Sequence, residues 1–149
     1  MSAHDIEIES DHFQVLVGDA KAGPLVDTSE IWDARGSIGA SPGDPTLVAI
    51  GTTRFGGRTQ LTVTVGDDGP PAWPGDARFL GEFVLDVPSG EILVWAPESD
   101  DLSLHPRVQV VPGMYSGIAV GMNLEMVSDE MEQEGLDRYG LHLRLMQAY

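Results

Sequence analysis

Arg138-Tyr-Gly-Leu-His-Leu-Arg-Leu-Met146 alternates from end to end. Tyr139, Leu141, Leu143 and Leu145 fall on one side, and Arg138, His142 and Arg144 on the other. Successive side chains of a strand point to opposite faces, so a period of two describes a strand with one buried and one wet face. One-sided burial of this kind belongs to antiparallel sheets.

The same reading extends outward along the chain. Thr59-Gln-Leu-Thr-Val-Thr-Val65 puts Leu61, Val63 and Val65 inward and threonines outward, and Thr46-Leu-Val-Ala-Ile50 reads as a buried strand. Arg78 to Val87 places Phe79, Gly81, Phe83, Leu85 and Val87 on one side. Pro88-Ser-Gly90 then predicts a hairpin into Glu91-Ile-Leu-Val-Trp-Ala96. Pro112-Gly113 predicts a second hairpin, between Arg107–Val111 and Met114–Val120. Phe13-Gln-Val-Leu-Val17 starts the pattern, which leaves His4 in a frayed terminus. Strands of this number without a long helical period predict an all-β fold: a single antiparallel β-sandwich domain over residues 1–149, of about eight strands. Two stretches interrupt it. Lys21 to Pro45 is loop-rich, with one helical turn expected at Asp27–Asp33. Glu125 to Asp137 is dense in acids, and reads either as a short amphipathic helix with Met122, Met126 and Met131 or as a mobile acidic loop.

Charge is the strongest compositional signal. Eight Lys and Arg against 24 Asp and Glu give a net charge of −16. Such a surface repels nucleic acid and anionic membrane and attracts basic partners. Genome composition, solubility, salt adaptation and a functional acidic face all produce this balance, and the sequence leaves them open. The absence of cysteine excludes disulfides, thiolate catalysis and Cys-ligated zinc. The first residues carry no basic-then-apolar leader, so a cytoplasmic protein is expected.

Catalytic and metal chemistry find no foothold. His4, His12, His105 and His142 stand at no metal-ligand spacing. Ser89 sits in a turn rather than a strand-to-helix elbow. The Gly36-Ser-Ile-Gly39 and Phe55-Gly-Gly-Arg58 clusters lack the Lys-Ser/Thr of a phosphate loop. Glu98, Asp100 and Asp101 cluster in one polar loop without the spacing of a calcium-binding hand. The expectation is a non-enzyme without metal or cofactor.

Several of these segments, taken in order, resemble the competence protein J family, small bacterial β proteins that inhibit a DNA-entry nuclease. They are His12-Phe-Gln-Val-Leu-Val17, Gly43 followed by Leu47-Val-Ala-Ile50, and the turn at Pro88-Ser-Gly90. Val110-Val-Pro-Gly-Met-Tyr115 and Asp137-Arg-Tyr-Gly-Leu141 complete the set. The loop from Pro97 to Leu104 and the segment near Glu130 depart from the family pattern. The resemblance implies an inhibitor or immunity-type protein whose partner is a basic nuclease. Asp129, Glu130, Glu132 and Glu134 would steer such a partner, with Trp73 and Trp32 as anchors. The alternative is a sandwich that binds a small ligand or carbohydrate, with Trp32 or Trp73 as stacking platform.

Overall fold

The computed structural model describes residues 1–11, 13–21, 38–41, 44–96, 105–127 and 136–149, and the alternating stretches become ten strands there. They are β1 (Ser2–Asp11), β2 (Gln14–Asp19), β3 (Ile38–Ser41), β4 (Asp44–Gly51), β5 (Gly56–Val65), β6 (Arg78–Val87), β7 (Glu91–Trp95), β8 (Arg107–Gln109), β9 (Gly113–Met122) and β10 (Arg138–Ala148). Leu124–Met126 makes a 3₁₀ turn. The expected helical turn at Asp27–Asp33 lies outside the described residues.

β1, β5, β10, β9 and β6 lie side by side in that order. β3, β4, β2, β7 and β8 form the facing layer. The layers are joined at one corner, where Asp11 pairs with Gln14 across a two-residue turn. Phe13, in that turn, takes a φ of 61°, the left-handed conformation that tight hairpins demand. Every neighbouring pair is antiparallel except β5 with β10, which run parallel. The fold is the expected all-β sandwich, with more strands and one parallel pairing.

The core lies between the layers. Ile6, Ile8, Leu61, Val63, Leu85, Leu141 and Leu143 from one meet Val15, Val17, Val48, Ile50, Ile92 and Val94 from the other. Each fully buried aliphatic side chain here is worth about 1.5–3 kcal/mol of transfer free energy. Leu16, Leu47, Ala49, Leu93 and Trp95 form a second buried cluster on the opposite face of β4, β2 and β7. Those strands are therefore apolar on both sides, which explains their unbroken hydrophobic runs.

Several expectations are corrected. Ser2–Asp11 is a full strand, so His4 sits opposite Val63 in the sheet. Neither Pro-Gly turn makes a hairpin of paired strands. β6 pairs with β9, while β7 pairs with β2 and β8. Each turn carries the chain from one layer to the other, and the two turns lock together. The Val110 N–H donates to the Gly90 carbonyl at 2.9 Å, and Gly90, at φ 74°, leaves no room for a Cβ beside Pro112. Phe79 does not share a face with Phe83, because a bulge between Phe79 and Gly81 shifts the register. Leu80 is buried as a result, and Phe79 is 49% exposed. Ile38 of β3 packs into the space over Gly81, closing that side of the sandwich. Thr59 faces inward, by the same parity as Leu61.

Candidate interaction surface

The outer face of the β1-β5-β10-β9-β6 sheet can be read from the register. One row across it is Ala3, Thr64, His142, Ile118 and Glu82. The next is Asp5, Thr62, Gly140, Val120 and Phe79. Residues 66–77, which link β5 to β6, must cross β10 and β9 to do so. Trp73 in this crossing is half-buried, with its indole seated on Gly140 and beside Val120. A Cβ at Gly140 would stand 2.9 Å from the indole Nε1, so the glycine is what lets the ring settle on the strand. An isolated glycine inside a regular strand is the sequence signal for such a close approach.

His142 lies on the outer face as its parity requires, but it is only 4% exposed. Its Nδ1 is 2.7 Å from Thr64 Oγ1, and its shielded Nε2 has no hydrogen-bond partner. Burial disfavours the imidazolium and holds its pKa below the usual value, with the Gly66 carbonyl opposing that shift. A histidine whose pKa falls on folding stabilises the fold fully above its unfolded pKa, near 6.5, and loses that contribution as pH falls through the folded value. Urea unfolding of the wild type is therefore expected to weaken from about pH 7.5 to about pH 5.5. A His142→Gln variant should flatten that slope, and an unchanged slope would refute the assignment.

Beside His142 runs a groove of about 560 Å³, lined among others by Pro70, Glu82, Val84, Ile118 and Arg144. Trp73 is not among its lining residues. Val84 is 45% exposed, so this region and Phe79 supply apolar surface on β6.

The acids are unevenly placed. Asp5, Glu7 and Glu9 project from the outer face of β1, all exposed. Thr62 donates to Asp5 at 2.7 Å and Gln60 to Glu7 at 3.1 Å, while Arg58 approaches Glu7 at 3.8 Å. Arg138 and Arg144 are exposed on β10, so the negative charge of this face is concentrated along β1. Two other acids are structural. Buried Asp19 accepts from the Lys21 and Ser89 backbone N–H groups, both at 2.8 Å, and thereby pins the β6–β7 turn. Asp137, read from sequence as part of the acidic segment, is 1% exposed and paired with Arg54, itself fully buried. The guanidinium meets the carboxylate at two points, Nη2 to Oδ1 at 2.5 Å and Nε to Oδ2 at 3.3 Å. The Tyr139 hydroxyl donates to Asp137 Oδ2 at 3.3 Å and accepts from the Thr53 N–H at 2.9 Å. Burial pushes the Tyr139 phenol up to about 12, against the pull of the Thr53 hydrogen bonds and with help from the Asp137 charge.

Of the candidate partner-contacting residues named from the sequence, Trp73 alone lies among those described. Trp32, Asp129, Glu130, Glu132 and Glu134 lie outside them, as do His12 and the Glu98, Asp100 and Asp101 cluster. Among the described residues no three of His, Asp and Glu converge on a common point that would hold a metal ion. No described helix is long and apolar enough to cross a membrane.

No protein-family model matches the chain, and no curated protein matches it in sequence. Solved structures do. ComJ from Bacillus subtilis, an inhibitor of the DNA-degrading activity of NucA, superposes with a TM-score of 0.64. The match covers 98% of this chain and 96% of ComJ at 11% identity. The chain folds like ComJ. A second structure, that of crocagin biosynthetic gene J, superposes with a TM-score of 0.55 at 14% identity, over 99% of this chain and 100% of the other. Both matches run essentially end to end, so the ComJ-like likeness takes in both layers of the sandwich. This agrees with the resemblance carried by the strand and turn segments.

Proposed function

We propose that this protein is a non-enzymatic binding protein of inhibitor type, whose partner is a basic nuclease. The observation that carries this reading is the full-length fold likeness to ComJ, an inhibitor of a DNA-degrading activity. The net charge of −16 supports it independently. A nuclease binds a polyanion through Arg and Lys, and clustered carboxylates compete for those same cations. The protein would then exclude DNA by occupying its site, without binding DNA or membrane itself.

Asp129, Glu130, Glu132 and Glu134 remain candidates for steering, with Asp5, Glu7 and Glu9 now added. Trp73 and Trp32 remain candidate anchors, and the exposed Phe79 joins them. The reading places the protein in the cytoplasm, where it would protect incoming or resident DNA.

The test is a DNA-degradation assay with a purified basic nuclease encoded near this protein. Stoichiometric addition should abolish degradation, with no effect on an acidic nuclease used as control. Undiminished degradation at a several-fold excess of the protein would end the proposal.

A further inference from the structure

We propose that the open edge of β1 receives an extended, basic strand of the partner protein, which adds to the sheet by backbone pairing. This deepens the inhibitor-type reading and rests on its premise of a protein partner.

The two sides of the sandwich differ. On the β6 side, Ile38 closes over Gly81. On the other side, β1 pairs with β5 along its whole length, from Ser2 opposite Val65 to Asp11 opposite Gly56. Among the described residues, its second edge meets another strand only at Asp11, opposite Gln14. That one pair also fixes which backbone groups are free. Across a two-residue turn, Asp11 and Gln14 must exchange their N–H and C=O groups with each other, so those of Asp11 point away from β5. The register along β1 is unbroken, and alternation then turns the N–H and C=O groups of Ala3, Asp5, Glu7 and Glu9 outward as well. A row of unpaired backbone groups of this length is a template for an added strand.

Side chains specify the occupant. Asp5, Glu7 and Glu9 are exposed on the outer face beside this edge. An incoming strand presents alternate side chains directly opposite them, and opposite-charge pairs across strands are favourable while like charges repel. Lys or Arg at every second position is therefore selected. A second copy of β1 is disfavoured, because antiparallel self-pairing would bring Asp5, Glu7 and Glu9 against one another. The intervening side chains of the added strand would turn toward the inner face. There His4 presents a shielded Nε2 with no hydrogen-bond partner. At the start of β1 a groove of about 650 Å³, lined by Ser2, Val65, Val110, Pro112, Tyr115 and Leu145 among others, offers apolar surface. The occupant is thus a segment alternating cations with apolar residues. The rival reading is that the acids only keep the edge from pairing with anything, a common device of natural sheets.

Amide hydrogen exchange separates the two, first with a synthetic ten-residue peptide alternating Lys and Val, then with the basic nuclease. Strand addition predicts exchange slowed by about tenfold or more at Asp5, Glu7 and Glu9, with the amides of Ile6 and Ile8 little changed. Glu7→Gln should weaken peptide binding a few-fold. Glu7→Pro should weaken it by about a hundredfold, because proline there removes an outward donor without touching the β5 ladder. Binding of peptide and nuclease without protection at these three amides would overturn the proposal while leaving the inhibitor reading intact. Self-association that slows the same amides in the absence of peptide would overturn it in favour of a dimer. Protection by the peptide with no inhibition of the nuclease would support the edge site and sink the inhibitor reading instead.

Discussion

Replacing Asp137 by alanine is expected to lower the free energy of unfolding by about 3–5 kcal/mol. The cost comes chiefly from what remains. Arg54 is fully buried, and without its carboxylate its charge would stay in a medium that solvates it poorly. Tyr139 would lose an acceptor in the same step, while Thr53 keeps its own bond to the Tyr139 oxygen. For a chain of this size the loss corresponds to a fall in melting temperature of roughly 10 °C. Urea titrations of wild type and Asp137→Ala, compared at constant slope, measure it directly. A double variant, Arg54→Met with Asp137→Leu, should recover most of the stability, since it removes both buried charges together. A loss below about 1 kcal/mol in the single variant would mean that water reaches the pair and solvates Arg54.

The second large effect is kinetic. The rate of association with a basic nuclease is expected to fall about tenfold as salt rises from roughly 0.03 to 0.3 M. Over that range the Debye length contracts from a distance spanning much of the protein to a few ångströms, so the long-range attraction due to a net −16 is screened away. Dissociation should change far less, because exposed charges steer more than they hold. Neutralising Asp129, Glu130, Glu132 and Glu134 together tests one acidic group, and neutralising Asp5, Glu7 and Glu9 tests the other. Whichever set faces the partner should slow association at low salt and leave the high-salt rate alone. An association rate indifferent to salt and to both sets would reduce the acidity to a feature of solubility or genome composition.

Local pattern exposed the strands better than their partners. Leu61, Val63, Leu141 and Leu143 were legible as inward residues because alternation is a property of each strand alone. Pairing is not local, and this is why Pro88-Ser-Gly90 and Pro112-Gly113 read as hairpins. The same turn chemistry serves a chain that folds back within a sheet and one that crosses to the facing layer. β1 was missed because Ser2-Ala-His-Asp opens on polar residues, and only Ile6 and Ile8 mark its buried side. The candidate surface was legible as charge, since acids announce themselves by composition. Its geometry was hidden, because nothing in the order of residues says that Asp137 would be drawn inside by Arg54, 83 positions away.

The position of β10 constrains how the molecule comes to be folded. It is the last strand in chain order, yet it lies between β5 and β9 in the middle of its sheet. A nascent chain that has reached Met122 holds every other strand of that layer and none of the one that joins them. During this interval β5 and β9 would each offer a bare flank to any chain nearby. Completion of the layer must wait for Arg138–Ala148 to be threaded into the gap, so its decisive pairing comes only after the other four strands have been made. Crowded expression should therefore favour aggregates at that stage, and a chaperone that shields the gap should raise the yield of folded protein without altering its final stability.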